Sequence, residues 1–267
     1  MPSPSPFPAT RNPAPLVRGQ GPALLLAHGA GSDIEDSFGP VLGALAERRT
    51  VIGPDYPGSG ATPLPDGPLT LDALADHIVS SAAEAGFETF AIAGFSMGTA
   101  VAVRAAARHP ERVRALVLSA GLARPNARTR LAVDTWRTWW ERGADDPALA
   151  AYLSLLVGSV DWLEEREEKE IAEQVEIFSS GSPPGTGKHL ELLASIDVRA
   201  DLPLIKAPAL VVSPSADLLI SPVHSRELAT GIPGARLATV DSGHAIAAER
   251  PAAWAALITE FLDAVDG

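Results

Sequence analysis

Short apolar runs at residues 23–27, 50–52, 90–93, 115–118, 209–213 and 236–240 recur along the chain, with amphipathic stretches between most of them. These runs show little polar alternation, as strands do when both faces of a sheet are covered, and that favours parallel pairing. Helical periodicity occupies residues 37–48, 71–85, 97–108, 221–230 and 252–265, with Thr70, Ser221 and Pro251 at or near the starts. The rhythm predicts an α/β fold: a doubly wound, mostly parallel sheet.

Residues 124–199 break that rhythm, with several helical patterns and no strand candidate. We expect residues 1–267 to form one domain with 124–199 as a helical cap inserted within it, since 267 residues are short for two independent cores. Trp136, Trp139 and Trp140 share one face of the first of these helices. From Asp161 to Glu176, eight acids oppose Arg166 and Lys169, a net −6 expected on the solvated face of one helix. Residues 179–188, SSGSPPGTGK, read as a flexible loop. Ser182 and His189 depart from the Gly-x4-Gly-Lys-Ser/Thr pattern, so no phosphate loop is expected.

Bulk properties narrow the function. A formal net charge of −12 disfavours nucleic acid and anionic membranes as partners. Without cysteine there is no disulfide and no thiolate nucleophile, which suits a reducing compartment. The first fifteen residues lack the basic and apolar regions of a secretory signal, and the run 23–27 is far too short to cross a bilayer. The expectation is a cytoplasmic protein.

Gly94-Phe95-Ser96-Met97-Gly98 stands between a strand candidate and an Ala-rich helix. A serine on so tight a turn needs small neighbours, and Gly94 and Gly98 supply them. The helix N-terminus then favours a developing oxyanion. A hydroxyl needs a base, and the base needs an orienting acid. Among six histidines, His244 lies after the last strand candidate, where a loop can reach the carboxyl edge of the sheet. His77, His109, His189 and His224 read as solvated or packing residues, His224 on a surface helix, and His28 as a bond-maker holding its own loop. Asp217, just past the run 209–213, is the expected acid, with Asp241 and Asp201 as rivals. The Met97 and Ala30 amides are the candidate oxyanion donors.

These residues resemble the α/β-hydrolase superfamily, nearest in pattern to small esterases, lactonases and cofactor-free perhydrolases. His28-Gly29 resembles the family's oxyanion loop, Asp55-Tyr56-Pro57-Gly58-Ser59-Gly60 its Asp-x-Pro-Gly-x-Gly turn, and Gly94 to Gly98 its nucleophile elbow. His109-Pro110-Glu111-Arg112-Val113 is similar to the family's link to the next strand, and the order Ser96, Asp217, His244 matches too. Ser-Pro-Ser-Ala-Asp217 departs from the common Gly-x-x-Asp, and Ala30 replaces a frequent bulky aromatic. The resemblance implies a serine hydrolase that cleaves a small apolar ester, lactone or thioester without metal or organic cofactor. Trp136, Trp139 and Trp140 are candidate substrate contacts. A cyclase or biosynthetic thioesterase using the same triad, or a small-molecule receptor, are the alternatives. Oligomeric state is left open.

Overall fold

The structure is a computed structural model describing residues 14–143, 146–180 and 182–267. Seven strands among these form one sheet: β1 (Leu16–Arg18), β2 (Ala23–Ala27), β3 (Thr50–Gly53), β4 (Phe90–Phe95), β5 (Val113–Ser119), β6 (Ala209–Pro214) and β7 (Arg236–Val240). Their order is β1-β3-β2-β4-β5-β6-β7, parallel throughout except for the antiparallel pair β1–β3. The helices are α1 (Ile34–Ala46), α2 (Leu71–Glu84), α3 (Met97–Arg108), α4 (Ala127–Arg142), α5 (Pro147–Val157), α6 (Val160–Glu164), α7 (Glu168–Ser180), α8 (Thr186–Ser195), α9 (Pro222–Gly231), α10 (Ile246–Glu249) and α11 (Pro251–Asp266).

Strand side chains alternate between two apolar layers, as their period of two requires. Leu24, Leu26, Ala91 and Ala93 pack with Phe38 and Leu42 of α1 and Trp254 and Ile258 of α11. Leu25, Ala27, Phe90 and Ile92 pack with Leu74 and Ile78 of α2 and Val101 of α3. Both faces are covered, so the central strands read as continuous apolar runs.

Several boundaries differ from expectation. The first helix begins at Ile34, not at 37, because the Asp33 carboxylate accepts the Asp36 amide at 2.8 Å and caps it. The edge strand β1 is indistinct in the sequence, because three residues pairing on one side carry almost no periodic signal.

The described residues from 127 to 195 carry α4–α8, all between β5 and β6. The acidic stretch is not one helix. It is divided between α6 and α7, and Arg166, between them, lies 3.4 Å above the Trp162 ring. The Gly-Pro-rich segment is not a loop throughout, since α7 runs to Ser180 and α8 begins at Thr186. The start of α8 is held down instead: the Gly185 amide donates to Gly58 O at 2.9 Å, and Lys188 Nζ donates to Gly67 O at 2.9 Å. No helix among the described residues is long and apolar enough to cross a membrane.

Candidate active site

Ser96 follows the last residue of β4 and precedes α3 with φ 53° and ψ −123°, a left-handed conformation costly for any residue with a Cβ. Neighbours hold it there. The Ser96 amide donates to Ser119 O at 3.0 Å, while Thr99 donates to Ser96 O through its amide at 3.0 Å and its hydroxyl at 2.7 Å. The glycines permit the turn, since a Cβ on Gly94 would lie 2.6 Å from Gly98 O.

His244 and Asp217 reach this serine from adjacent strand ends, His244 after β7 and Asp217 after β6. His244 Nε2 lies 3.0 Å from Ser96 Oγ, and His244 Nδ1 lies 2.7 Å from Asp217 Oδ2. All three residues are buried. The other carboxylate oxygen, Oδ1, accepts the Leu219 amide at 2.9 Å and the Ile220 amide at 2.7 Å, which fixes the carboxylate plane. The carboxylate acts as acceptor toward the ring, so the neutral imidazole carries its proton on Nδ1 and leaves the Nε2 lone pair toward the hydroxyl. The Ala216 amide donates to Ser242 O at 2.9 Å and joins the two loops. Neither rival acid reaches the histidine: Asp241 is exposed and accepts Ser215 Oγ at 2.8 Å, and Asp201 accepts Arg104 Nε at 2.8 Å.

The turn after β2 abuts the serine, because a Cβ on Gly29 would sit 3.5 Å from Ser96 Cβ. His28 organises that turn. Its Nδ1 donates to Gly29 O at 2.8 Å and its Nε2 accepts the Tyr56 amide at 2.9 Å. Burial first, and then the nearby His189, push its pKa well below the ordinary value, so it is neutral. Ala30 follows in this turn. Met97 is the first residue of α3, where amides have no intrahelical acceptor.

The three tryptophans separate. Trp136 lies over the same turn, its Cζ2 3.0 Å from where a Cβ on Gly31 would be. Trp139 meets Tyr152 of α5 edge to face at 5.3 Å, and Trp140 backs onto Gly187 of α8. His77 Nε2 donates to Asp55 O at 3.1 Å, and His109 Nε2 lies 3.3 Å from Asp76 Oδ1. His224 contradicts the expectation of a surface position drawn from its place at a helix start. It is buried, with Nε2 3.0 Å from Thr129 Oγ1 of α4.

Sequence reasoning passed over Glu249. Buried, it accepts the Ser159 amide at 2.9 Å, the Ser159 hydroxyl at 2.6 Å and the Gly243 amide at 3.0 Å. It ties the residue before His244 to the α5–α6 turn. On the other side of the histidine, the Ala245 amide donates to Val157 O at 2.9 Å. A lone glutamate gives no sequence signal for this, since most stay in water. Among the described residues no three His, Asp or Glu side chains gather as metal ligands.

Comparison with known proteins agrees with this architecture. The family model for the alpha/beta hydrolase fold matches residues 22–251. A pyrrolizixenacetamide deacetylase from Xenorhabdus hominickii is 32% identical over 249 residues, 92% of each chain. A pimeloyl-[acyl-carrier protein] methyl ester esterase from Chromobacterium violaceum is 31% identical, covering 82% of this chain and 85% of that protein. The crystal structure of an enol-lactonase from Burkholderia xenovorans LB400 superposes with a TM-score of 0.80 at 28% identity, covering 93% of this chain and 95% of its own. Sheet order, covered faces and family match together make this chain a member of the α/β-hydrolase family, a fold shared by hydrolases of esters and related bonds.

Proposed function

We propose that the protein is a serine hydrolase that cleaves a small apolar carboxylic ester or lactone through an acyl-enzyme on Ser96. The observation that carries this reading is the unbroken contact chain from Asp217 through His244 to Ser96, at 2.7 and 3.0 Å. In this reading Ser96 Oγ attacks the carbonyl carbon while His244 Nε2 takes the hydroxyl proton, and Asp217 stabilises the imidazolium. The carbonyl oxygen becomes an oxyanion between the Ala30 and Met97 amides. Its collapse breaks the ester bond, and His244 returns the proton to the leaving alkoxide. Water, deprotonated by the same nitrogen, then attacks the acyl-enzyme, releasing the acid and restoring the serine. No metal or organic cofactor takes part.

Helices α4–α8 act here as a cap over the site, with Trp136, which lies against the Ala30–Gly31 turn, as the substrate-facing tryptophan. Trp139 and Trp140 brace the cap from within. The names of the relatives, a deacetylase, a methyl ester esterase and an enol-lactonase, support acyl chemistry without selecting a substrate. The absence of cysteine fits a cytoplasmic setting.

Turnover of 4-nitrophenyl acetate and butyrate and of a simple lactone tests the proposal. Ser96→Ala and His244→Ala should each lower kcat/KM by at least about 10³-fold, and Asp217→Asn by about 10³- to 10⁴-fold. Activity retained in Ser96→Ala would overturn it.

A further inference from the structure

A trans peptide points its N–H opposite to its C=O, so whatever holds one carbonyl also aims the amide that shares its plane. The Gly29 carbonyl is held by His28 Nδ1 at 2.8 Å, which turns the Ala30 N–H of the same plane away from His28. The next plane, between Ala30 and Gly31, is held by a residue from far along the chain. His189 of α8 accepts the Gly31 amide on Nδ1 at 3.2 Å and donates from Nε2 to Pro57 O at 3.0 Å. Ala30 therefore lies between two peptide planes, each anchored to an imidazole. Gly31 itself has φ +64°, with Thr186 Cγ2 and Trp136 packed against it, so this turn does not hold its shape through local propensity alone.

We propose that His189 is a positioning residue for the oxyanion hole: by accepting the Gly31 amide, it fixes the Ala30 amide at the place where negative charge develops. The inference rests on the serine-hydrolase reading above. Donation to Pro57 O requires the proton on Nε2, which leaves Nδ1 free to accept, and only the neutral ring does both. Burial lowers the His189 pKa to about 4, so the ring is neutral under ordinary conditions. The second bond, to Pro57, prevents the ring from turning and also fastens α8 to the turn that carries Tyr56 and Gly58.

The two nitrogens can be tested separately. His189→Asn places an amide oxygen near the Nδ1 position and keeps an acceptor for Gly31, whereas His189→Gln reaches the Nε2 position and keeps only the Pro57 contact. With 4-nitrophenyl acetate, His189→Gln and His189→Ala should lower kcat about tenfold or more, with KM changed less than about threefold. His189→Asn should stay within about threefold of the unmodified kcat. Thermal unfolding of each variant shows whether the protein remains folded. Equal losses in the Asn and Gln variants, or no loss in either, would overturn the inference. A Ser96→Ala variant as fast as the unmodified protein would instead remove the hydrolase reading on which it rests. Should the variants fail to fold, hydrogen exchange in the unmodified protein decides: the Gly31 amide should be protected like the amides of β2, and exchange at the rate of an open coil would overturn the proposal.

Discussion

A side chain at position 98 would occupy space already taken by the Ala27 carbonyl, and its Cβ would lie 2.7 Å from the His28 oxygen. Because those atoms are backbone, relief requires β2 and α3 to move apart, and that displaces both Ser96 and the turn beside it. Gly98→Ala should therefore cost about 1–3 kcal/mol in stability and most of the esterase activity. Gly43 in α1 is the control. A Cβ there meets nothing within 4 Å and the residue is exposed, so Gly43→Ala should stabilise the protein by about 0.5–1 kcal/mol through helix propensity alone. Urea denaturation of the two variants checks the contrast, and equal effects would mean that the elbow is not packed as described. Gly94 and Gly98 are readable in sequence because a serine on a tight strand-to-helix turn demands small neighbours. His189 and Glu249 are not, because their partners lie 158 and 90 residues away and no local pattern announces such a bond.

Between elements, the loop that carries His244 is splinted on both sides by the helical segment. The α5–α6 turn supplies Val157 O to the Ala245 amide, and through Glu249 it holds the Gly243 amide. All the groups that meet the Glu249 carboxylate donate to it, and each oxygen meets a backbone amide that can only donate, Ser159 N–H on Oε1 and Gly243 N–H on Oε2. An amide in place of the carboxylate must turn an NH₂ toward at least one donor, so Glu249→Gln should destabilise by about 1–3 kcal/mol and lower kcat through a displaced imidazole. Chemical denaturation together with steady-state kinetics measures both, and unchanged kcat would show that the histidine loop stands without the splint. The elements themselves were legible where tertiary structure reinforces local pattern. The buried strands β2 and β4 are apolar on both faces because both faces are covered, and α2 starts where Thr70 accepts the Ala73 amide at 3.2 Å. Residues 179–188 were misread because their composition is that of a loop, whereas α8 is stabilised by docking on Gly58, Pro57 and the carbonyls of residues 65–67.

For the molecule as a whole, buried histidines and excess negative charge pull stability in opposite directions as the pH falls. His28, His77, His189 and His224 all have pKa values lowered from 6.5, in each case first by burial, and His189 reaches about 4. Below pH 6.5 the unfolded chain takes up protons that the folded chain refuses. Each of these groups then removes up to about 1.4 kcal/mol of stability per pH unit, until its folded-state pKa is passed. Asp36 and Asp55 act in the other sense, since burial raises their pKa above 3.8 and the folded chain protonates them first. That contribution is confined to the acid side of the range. Relief of self-repulsion as the net charge of −12 is titrated also favours the folded state, but it acts largely between exposed groups and is screened by salt. The histidine effect arises from desolvation, which salt leaves in place. In about 0.2 M salt the melting temperature should therefore fall steadily from pH 7 to pH 5, beginning above the carboxylate range. A melting temperature that stays level or rises across that interval would mean that these rings are hydrated in the folded protein.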